Sequence, residues 1–324
     1  MNIEISVICL TYNSDINKTL ATLNSVVSQL GCNFEVIVAD DGSQDNNFGN
    51  IENYFAFKGF TNYKLKANEY NSGIISNFLS AIKLAEGKYI KYISPGDYLY
   101  DEFTLKKCID FMKKYNAEYA FGKALYYREV NNSLEILGKY DPVFTDLYDS
   151  SKVNYDYNTV LKFNLLYQDY LLGASVIADR MLFEKYLGEI VGKIKYIEDN
   201  TIIPLLTLDK KRVYFFAEYI LWYECDSGIS TNINRGFQKK INLDFLNCYK
   251  LLREKYSYSS YVHLAYLRYK YILKNNRLLV SVVKRVIDLF YGGIKFRRIK
   301  RRKESNRYFT VFNAKNWYKW REFK

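Results

Sequence analysis

Two stretches decide the fold: ISVICLTYN, from Ile5 to Asn13, and FEVIVADDGSQD, from Phe34 to Asp45. Each starts with an apolar run too short to be a buried helix and stops abruptly in polar residues. Between them Ile16, Leu20, Leu23, Val27 and Leu30 recur at helical spacing, and Ser14 and Asp15 suit the cap of that helix. The same strand and helix alternation recurs in Tyr63 to Leu65, a helix from about Ile75 to Ala85, and Tyr89 to Ile93. Alternation of this kind builds a parallel sheet with helices on both faces. Ligands of such sheets bind beyond the carboxyl ends of the strands, so the residues following each strand carry the chemistry.

Further along, the pattern predicts a helix at about Glu102 to Tyr115, a strand at Ala117 to Tyr127, and helices at Arg180 to Leu187 and Thr201 to Leu208. The Tyr-, Asp- and Asn-rich stretch from about Asn131 to Asn158 has no assignable periodicity. From about Phe237 the chain turns helical, aromatic and basic. This gives two regions, a body over residues 1–235 and an extension over 236–324.

Composition narrows the chemistry. The chain has 324 residues, 49% of them hydrophobic and only 3 proline, enough to bury a sizeable core. No uncharged apolar run reaches the 18 residues of a membrane span, and the first residues lack the basic segment of a signal peptide, so a cytoplasmic location is expected. Cys9, Cys32, Cys108, Cys225 and Cys248 stand singly, which fits reduced thiols. His263 is the sole histidine, which excludes His-based metal sites and a Ser-His-Asp triad. Carboxylates are left to do the work.

Polar clusters follow three of the strands: Thr11-Tyr12-Asn13, Asp40-Asp41-Gly42-Ser43 and Ser94-Pro95-Gly96-Asp97. They converge on one sheet edge. Together with Asp45, Asn71-Ser72-Gly73, Asn77, Gly87-Lys88-Tyr89-Ile90 and Glu198-Asp199, in this order and spacing, they resemble the inverting glycosyltransferases of family 2, over roughly residues 1–232. The resemblance implies a GT-A fold: an α/β, Rossmann-like, mostly parallel sheet flanked by helices, here with a basic helical C-terminal extension.

It implies roles as well. Asp41 would accept from the uracil N–H of a UDP-sugar, with Thr11, Tyr12, Asn13, Asp40 and Asn77 around the nucleotide. Asp97 would stand in the region of the family's metal-binding DxD motif. The sequence departs there, because only the last carboxylate of Ser94-Pro95-Gly96-Asp97 is present; a divalent cation, Mn²⁺ or Mg²⁺, would then be held by Asp97, diphosphate oxygens and water. Glu198-Asp199 resembles the family's ED motif, and Asp199 would be the base that takes the acceptor hydroxyl's proton. Capping of the following helix is a second role open to the same residue. The segment Tyr223 to Ser230 falls where the family has a loop near the donor diphosphate, without its usual basic residue, and reads as a flexible loop. Arg180 and Asp169 read as solvated surface charges. The reaction implied is single-sugar transfer with inversion from UDP-Glc, UDP-Gal or UDP-HexNAc to a hydroxyl of an undecaprenyl-diphosphate-linked glycan, in O-antigen, lipopolysaccharide or capsule assembly. The rival reading is a catalytically inactive relative that binds or scaffolds.

The net charge of +12 conceals an asymmetry: residues 236–324 hold 23 Lys+Arg against 5 Asp+Glu, a net of +18, which leaves −6 for the body. Such an extension needs an anionic partner. Nucleic acid would leave the strand-end carboxylates facing phosphates with the wrong charge, so none is expected. Between Arg277 and Phe290 the polar residues Arg277, Ser281, Lys284, Arg285 and Asp288 form one helical stripe. Leu278, Leu279, Val282, Val283, Val286, Ile287, Leu289 and Phe290 make the rest apolar. Seven cations between Lys295 and Lys303 follow, and then Tyr308, Phe309, Phe312, Trp317, Tyr318 and Trp320. The pattern predicts a helix lying on the anionic inner face of the membrane with Trp317 and Trp320 at headgroup depth. The alternative is a helix packed on the body.

Overall fold

The computed structural model describes residues 2–131, 133–137, 142–225, 235–305 and 315–322. The first half alternates as expected: β1 (Ile5–Thr11), α1 (Ile16–Val27), β2 (Phe34–Asp40), α2 (Phe48–Phe57), β3 (Tyr63–Ala67), α3 (Ile74–Ile82) and β4 (Tyr89–Ile93). Then come β5 (Tyr98–Leu99), α4 (Thr104–Lys114), β6 (Tyr119–Val130), β7 (Ser133–Ile136), α5 (Tyr157–Tyr167), β8 (Val176–Asp179), α6 (Arg180–Ile190), α7 (Glu198–Leu208) and β9 (Tyr214–Glu224). The extension is helical: α8 (Arg235–Lys255), α9 (Ser260–Leu273), α10 (Arg277–Phe290), α11 (Gly293–Ser305) and α12 (Lys315–Arg321).

The strands form one sheet in the order β3-β2-β1-β4-β8-β6-β9-β5, with β7 paired to β6. β1, β2, β3 and β4 are parallel, β8 is antiparallel to both its neighbours, and β6 and β9 are again parallel. β1 and β4 are buried along their whole length, which is why their sequences are apolar runs and not alternating ones. The short run Val176–Asp179 and the mixed run Tyr214–Glu224 give no comparable signal; both are strands unread in the sequence, as α2 and α5 are unread helices.

One core lies on each sheet face. One joins Ile8, Phe78, Tyr92, Phe183 and Leu206 to Phe245, Tyr249 and Leu252 of α8, and to Val262 and Tyr269 of α9. The other joins Val7, Leu23, Val38, Phe55, Ile109 and Leu221. The extension thus contributes core residues to the sheet. The expected division after residue 235 adjoins residues 226–234, which lie outside the described residues, as do Tyr308, Phe309 and Phe312.

Three expectations need correction. Trp317 and Trp320 do not face outward: both are fully buried with Ala21, Tyr98, Leu125, Tyr127 and Trp222, because α12 folds back across α1 and the β5–β9 edge. The Trp320 Nε1–H donates to the Leu99 carbonyl at 3.0 Å, and the Trp320 carbonyl accepts from Asn24 Nδ2 at 3.0 Å. Asp169 is no surface charge either. It is buried, and its carboxylate accepts the N–H groups of Val143 (2.9 Å) and Phe144 (3.1 Å). Finally, α10 is not apolar toward solvent throughout: Val283 and Ile287 pack on Leu166 and α9.

Candidate active site

The ends of β1, β2 and β3 make the first part of the site. Asp40, the last residue of β2, is buried and accepts from Thr11 Oγ1 (3.0 Å), the Ser43 N–H (2.7 Å) and Ser43 Oγ (2.6 Å). Asn13 sits at φ 46°, a conformation asparagine tolerates. Its N–H donates to Ser43 Oγ and its side-chain carbonyl accepts from the Gln44 N–H, which ties the loop after β1 to the loop after β2. Tyr12 is about half exposed beside them.

Asp41 is buried and bonded on both oxygens. Oδ1 accepts from the Ser72 N–H, Ser72 Oγ and Asn68 Nδ2, each at 2.9 Å, and Oδ2 from the Gly73 N–H at 2.9 Å. Oδ1 is saturated by three donors, whereas Oδ2 accepts only one and has room for a further donor. Asn77 is buried behind this network, donating to the Ala39 carbonyl at 2.8 Å and accepting from Asn68. Its contacts hold the end of β2, and Asn68 is the hub that joins Asp41, Ser72 and Asn77. Removing the Asp41 carboxylate strands four donors. Asp41→Ala is therefore expected to lower thermal stability as well as to raise the donor KM several-fold. Unchanged KM with a lowered melting temperature would restrict Asp41 to holding the loop.

The second part lies beyond β4. Asp97 is buried and its Oδ1 accepts the Glu224 N–H at 3.0 Å, fastening the end of β9 to the turn after β4. Burial pushes Asp97 up to about 7. Gly96 has φ +100°, a conformation that favours glycine, and a Cβ there would come 2.3 Å from Glu224 Oε2 and displace that carboxylate. The Glu224 carboxylate lies against the turn and is paired with Lys18 of α1 at 2.6 and 2.8 Å. Among the described residues no group of three or more Asp, Glu, Cys or His is placed to hold a metal ion. Asp97 with Glu224 alongside would supply one or two oxygen ligands. That donor set suits a cation arriving with a diphosphate and does not make a complete cage for a resident ion.

The third part is the start of α7. Glu198 and Asp199 are not just ahead of the helix but in its first turn, where the N-terminal dipole favours negative charge. Asp199 accepts from the Gly173 N–H (3.0 Å), the Asn200 N–H (2.7 Å) and Asn200 Nδ2 (2.9 Å). Glu198 is buried and its Oε2 has no hydrogen-bond partner. Burial raises both carboxyls above their ordinary range, and each repels the other's charge. Three N–H donors favour ionised Asp199, whereas the orphaned oxygen of Glu198 favours its protonated form. The donors thus favour negative charge on Asp199 over Glu198. Asp244 of α8 accepts the N–H groups of Lys195 (2.9 Å) and Tyr196 (2.7 Å), so the extension fixes the loop that enters this turn.

Lys91 joins the second and third parts. It is fully buried in β4 and donates to the Tyr92 carbonyl at 2.8 Å and to the Ala174 carbonyl. Burial pulls its pKa down to about 8, against the charge of nearby Asp97. Ala174 belongs to the turn whose Gly173 N–H binds Asp199, so Lys91 positions the carboxylate through that turn. A Cβ on Gly173 would meet Tyr92 Oη at 2.3 Å and Asp199 Oδ2 at 2.9 Å, which explains glycine there.

The model of glycosyl transferase family 2 matches residues 6–170. The chain belongs to this family. A curated Escherichia coli family relative, UDP-Glc:alpha-D-GlcNAc-diphosphoundecaprenol beta-1,3-glucosyltransferase WfgD, is 27% identical over 205 residues, which is 61% of this chain and 71% of that protein. Among solved structures, S. aureus TarS 1-349 superposes with a TM-score of 0.55 at 18% identity, covering 88% of this chain and 91% of that one. The same fragment in complex with UDP-GlcNAc gives 0.55 at 18% identity, over 91% and 92%. These structures share the GT-A fold with this family 2 transferase.

Of the residues read from the sequence, the structure gathers Thr11, Asn13, Asp40, Asp41 and Asn77 into one network, sets Asp97 beside Glu224, and places Glu198 and Asp199 together. Asn68, Lys91, Gly173 and Glu224 were unread. A lysine inside the apolar run Tyr89 to Ile93 was a signal for Lys91; Glu224 lay within the segment read only as a loop, whose residues 226–230 are outside the described ones. A cavity of about 770 Å³, lined by Phe111, Tyr115, Asp149 and Phe216 among others, lies at the opposite end of β9 and includes none of these carboxylates.

Proposed function

We propose that the protein transfers one sugar, with inversion, from a UDP-sugar to a hydroxyl of a lipid-linked glycan. The observation that carries the reading is the asymmetry of the Glu198–Asp199 pair, in which one buried carboxylate accepts three N–H donors and the other keeps an unbonded oxygen, at a sheet edge that also carries the Asp41 network. Asp199 takes the proton from the acceptor hydroxyl as that oxygen attacks the anomeric carbon and the nucleoside diphosphate leaves from the opposite side. Asp41 and its loop hold the base of the nucleotide. Asp97, with Glu224 alongside, would hold a divalent cation that neutralises charge on the departing diphosphate. Lys18, paired with Glu224, stands beside that position and would be available to phosphate oxygens if Glu224 bound a cation.

The relative's acceptor, GlcNAc on diphosphoundecaprenol, makes a lipid-diphosphate-linked GlcNAc the first acceptor to offer, with UDP-Glc and UDP-GlcNAc as first donors. Transfer is measured with both donors on that acceptor, against UDP-sugar hydrolysis without it. Stereospecific product from either donor supports the reading, and absence of both transfer and hydrolysis across UDP- and dTDP-sugars would favour an inactive scaffold. Chelation with EDTA should abolish activity, and Asp97→Asn, which keeps an acceptor for the Glu224 N–H, should weaken the metal dependence without loosening β9. Full activity in EDTA removes the cation from the mechanism.

A further inference from the structure

Helix α10 carries two apolar stripes, and the body covers only one of them. Val283 and Ile287 are buried in a cluster with Leu166 that includes Tyr261, Leu264 and Tyr271. Leu278, Val282 and Leu289 are 74%, 46% and 74% exposed, and Phe290 and Ile294 at the junction with α11 are 78% and 46% exposed. At about 100° per residue, Leu278, Val282 and Leu289 fall within roughly 40° of one another, well round the helix from Val283 and Ile287. Isolated exposed leucines need no explanation, but a continuous stripe does.

The charge beside this stripe has one sign. Arg277, Lys284 and Arg285 of α10 and Lys295, Arg298, Arg301 and Arg302 of α11 are exposed around it. The acidic neighbours are already matched, since Asp288 pairs with Arg297 at 2.7 Å and Asp146 with Lys303 at 2.9 Å. Neither helix can cross a bilayer: α10 and α11 have 14 and 13 residues, and no described helix is long and apolar enough to span. A nucleic acid would find the cations but have no use for the apolar stripe.

We propose that the outer face of α10 and α11 is a docking surface for an anionic lipid bilayer, with Leu278, Val282, Leu289, Phe290 and Ile294 entering the interface and the flanking cations on the headgroups. Each such cation multiplies binding by roughly fivefold near an anionic surface. The apolar stripe supplies the share that salt does not screen. Trp317 and Trp320, being buried, take no part. The proposal goes beyond the transfer reaction and stands or falls without it, because vesicle binding is read with no substrate present.

The test is sedimentation of the full chain with vesicles of 70% phosphatidylcholine and 30% phosphatidylglycerol, and with phosphatidylcholine alone, at low and high salt. Strong binding to the anionic vesicles only, partly resistant to salt, is expected. The triple variant Leu278→Ser, Leu289→Ser, Phe290→Ser should bind at least tenfold more weakly, and Lys295→Glu with Arg298→Glu should lose the preference for phosphatidylglycerol, both with unchanged thermal melts. Hydrogen exchange on the unaltered chain gives a readout free of any folding effect, with protection by vesicles confined to about residues 278–299. Failure of the full chain to sediment, or protection elsewhere, overturns the proposal. So does a dimer in solution that the triple variant dissociates, which would make the stripe a contact between two copies of the chain.

Discussion

Asp199→Asn is expected to lower kcat by roughly 10²-fold or more while leaving the donor KM close to that of the wild type. The substitution keeps the shape and leaves an oxygen for the Gly173 N–H, but the side chain no longer takes a proton. Glu198→Gln is the informative partner. Because Glu198 already resembles its neutral form, with Oε2 buried and unbonded, its amide should cost far less than the Asp199 change. The pH profile follows from the same pair. Burial raises Asp199 above the ordinary carboxylate range, and a base works only when unprotonated, so turnover should rise with pH along an acid limb lying above that range. Glu198→Gln preserves the neutral neighbour and should leave that limb close to its wild-type position. Near-normal turnover in Asp199→Asn, or an acid limb at ordinary carboxylate pH, would pass the role to another residue.

The site was legible in residue type and less so in its contacts. Strands buried on both faces read as apolar runs ending in polar residues, so β1, β2 and β4 and the carboxylates after them stood out. What holds those carboxylates did not, because each partner is remote in sequence: Gly173 against Asp199, Glu224 against Asp97, Asn68 against Asp41. Such contacts depend on register and loop path, which no local period records. β8 and β9 escaped for a related reason. One is only four residues long, and the other mixes exposed and buried positions on a partly covered edge.

The tail shows where pattern runs out. Amphipathic periodicity says which face of a helix is apolar; it does not say what covers that face. An interleaved Trp, Tyr and Lys segment has the composition of an interfacial belt and equally that of a flap closing a gap in the protein's own core. The gap exists here because Tyr98 of β5, Tyr127 of β6 and Trp222 of β9 form a cluster that Trp317 and Trp320 complete. The same ambiguity in α10 resolves both ways, with Val283 and Ile287 taken by the body and the Leu278 stripe left over.

Trp320→Ala should cost about 3–5 kcal/mol of stability, as for other large buried aromatics, and lower the melting temperature by roughly 5–10 °C. The indole is fully buried, and its loss leaves both a cavity and an unpaired Leu99 carbonyl. Trp317→Ala should behave similarly, since that ring packs edge-on against Tyr127 at 5.6 Å. Tyr127 Oη in turn donates to the Gly96 carbonyl, so damage at α12 reaches the turn that carries Asp97. Activity should therefore fall together with stability. Removing everything from Arg277 onward should therefore cost activity even toward a short soluble acceptor, because such a truncation takes α12 with it. A chain ending before Lys315 separates the two helices' roles: it should keep the α10 and α11 surface and its vesicle binding but melt early and turn over poorly. If that shortened chain melts within a degree of the full one with full activity, α12 is a detachable tail and the aromatic edge needs no cover.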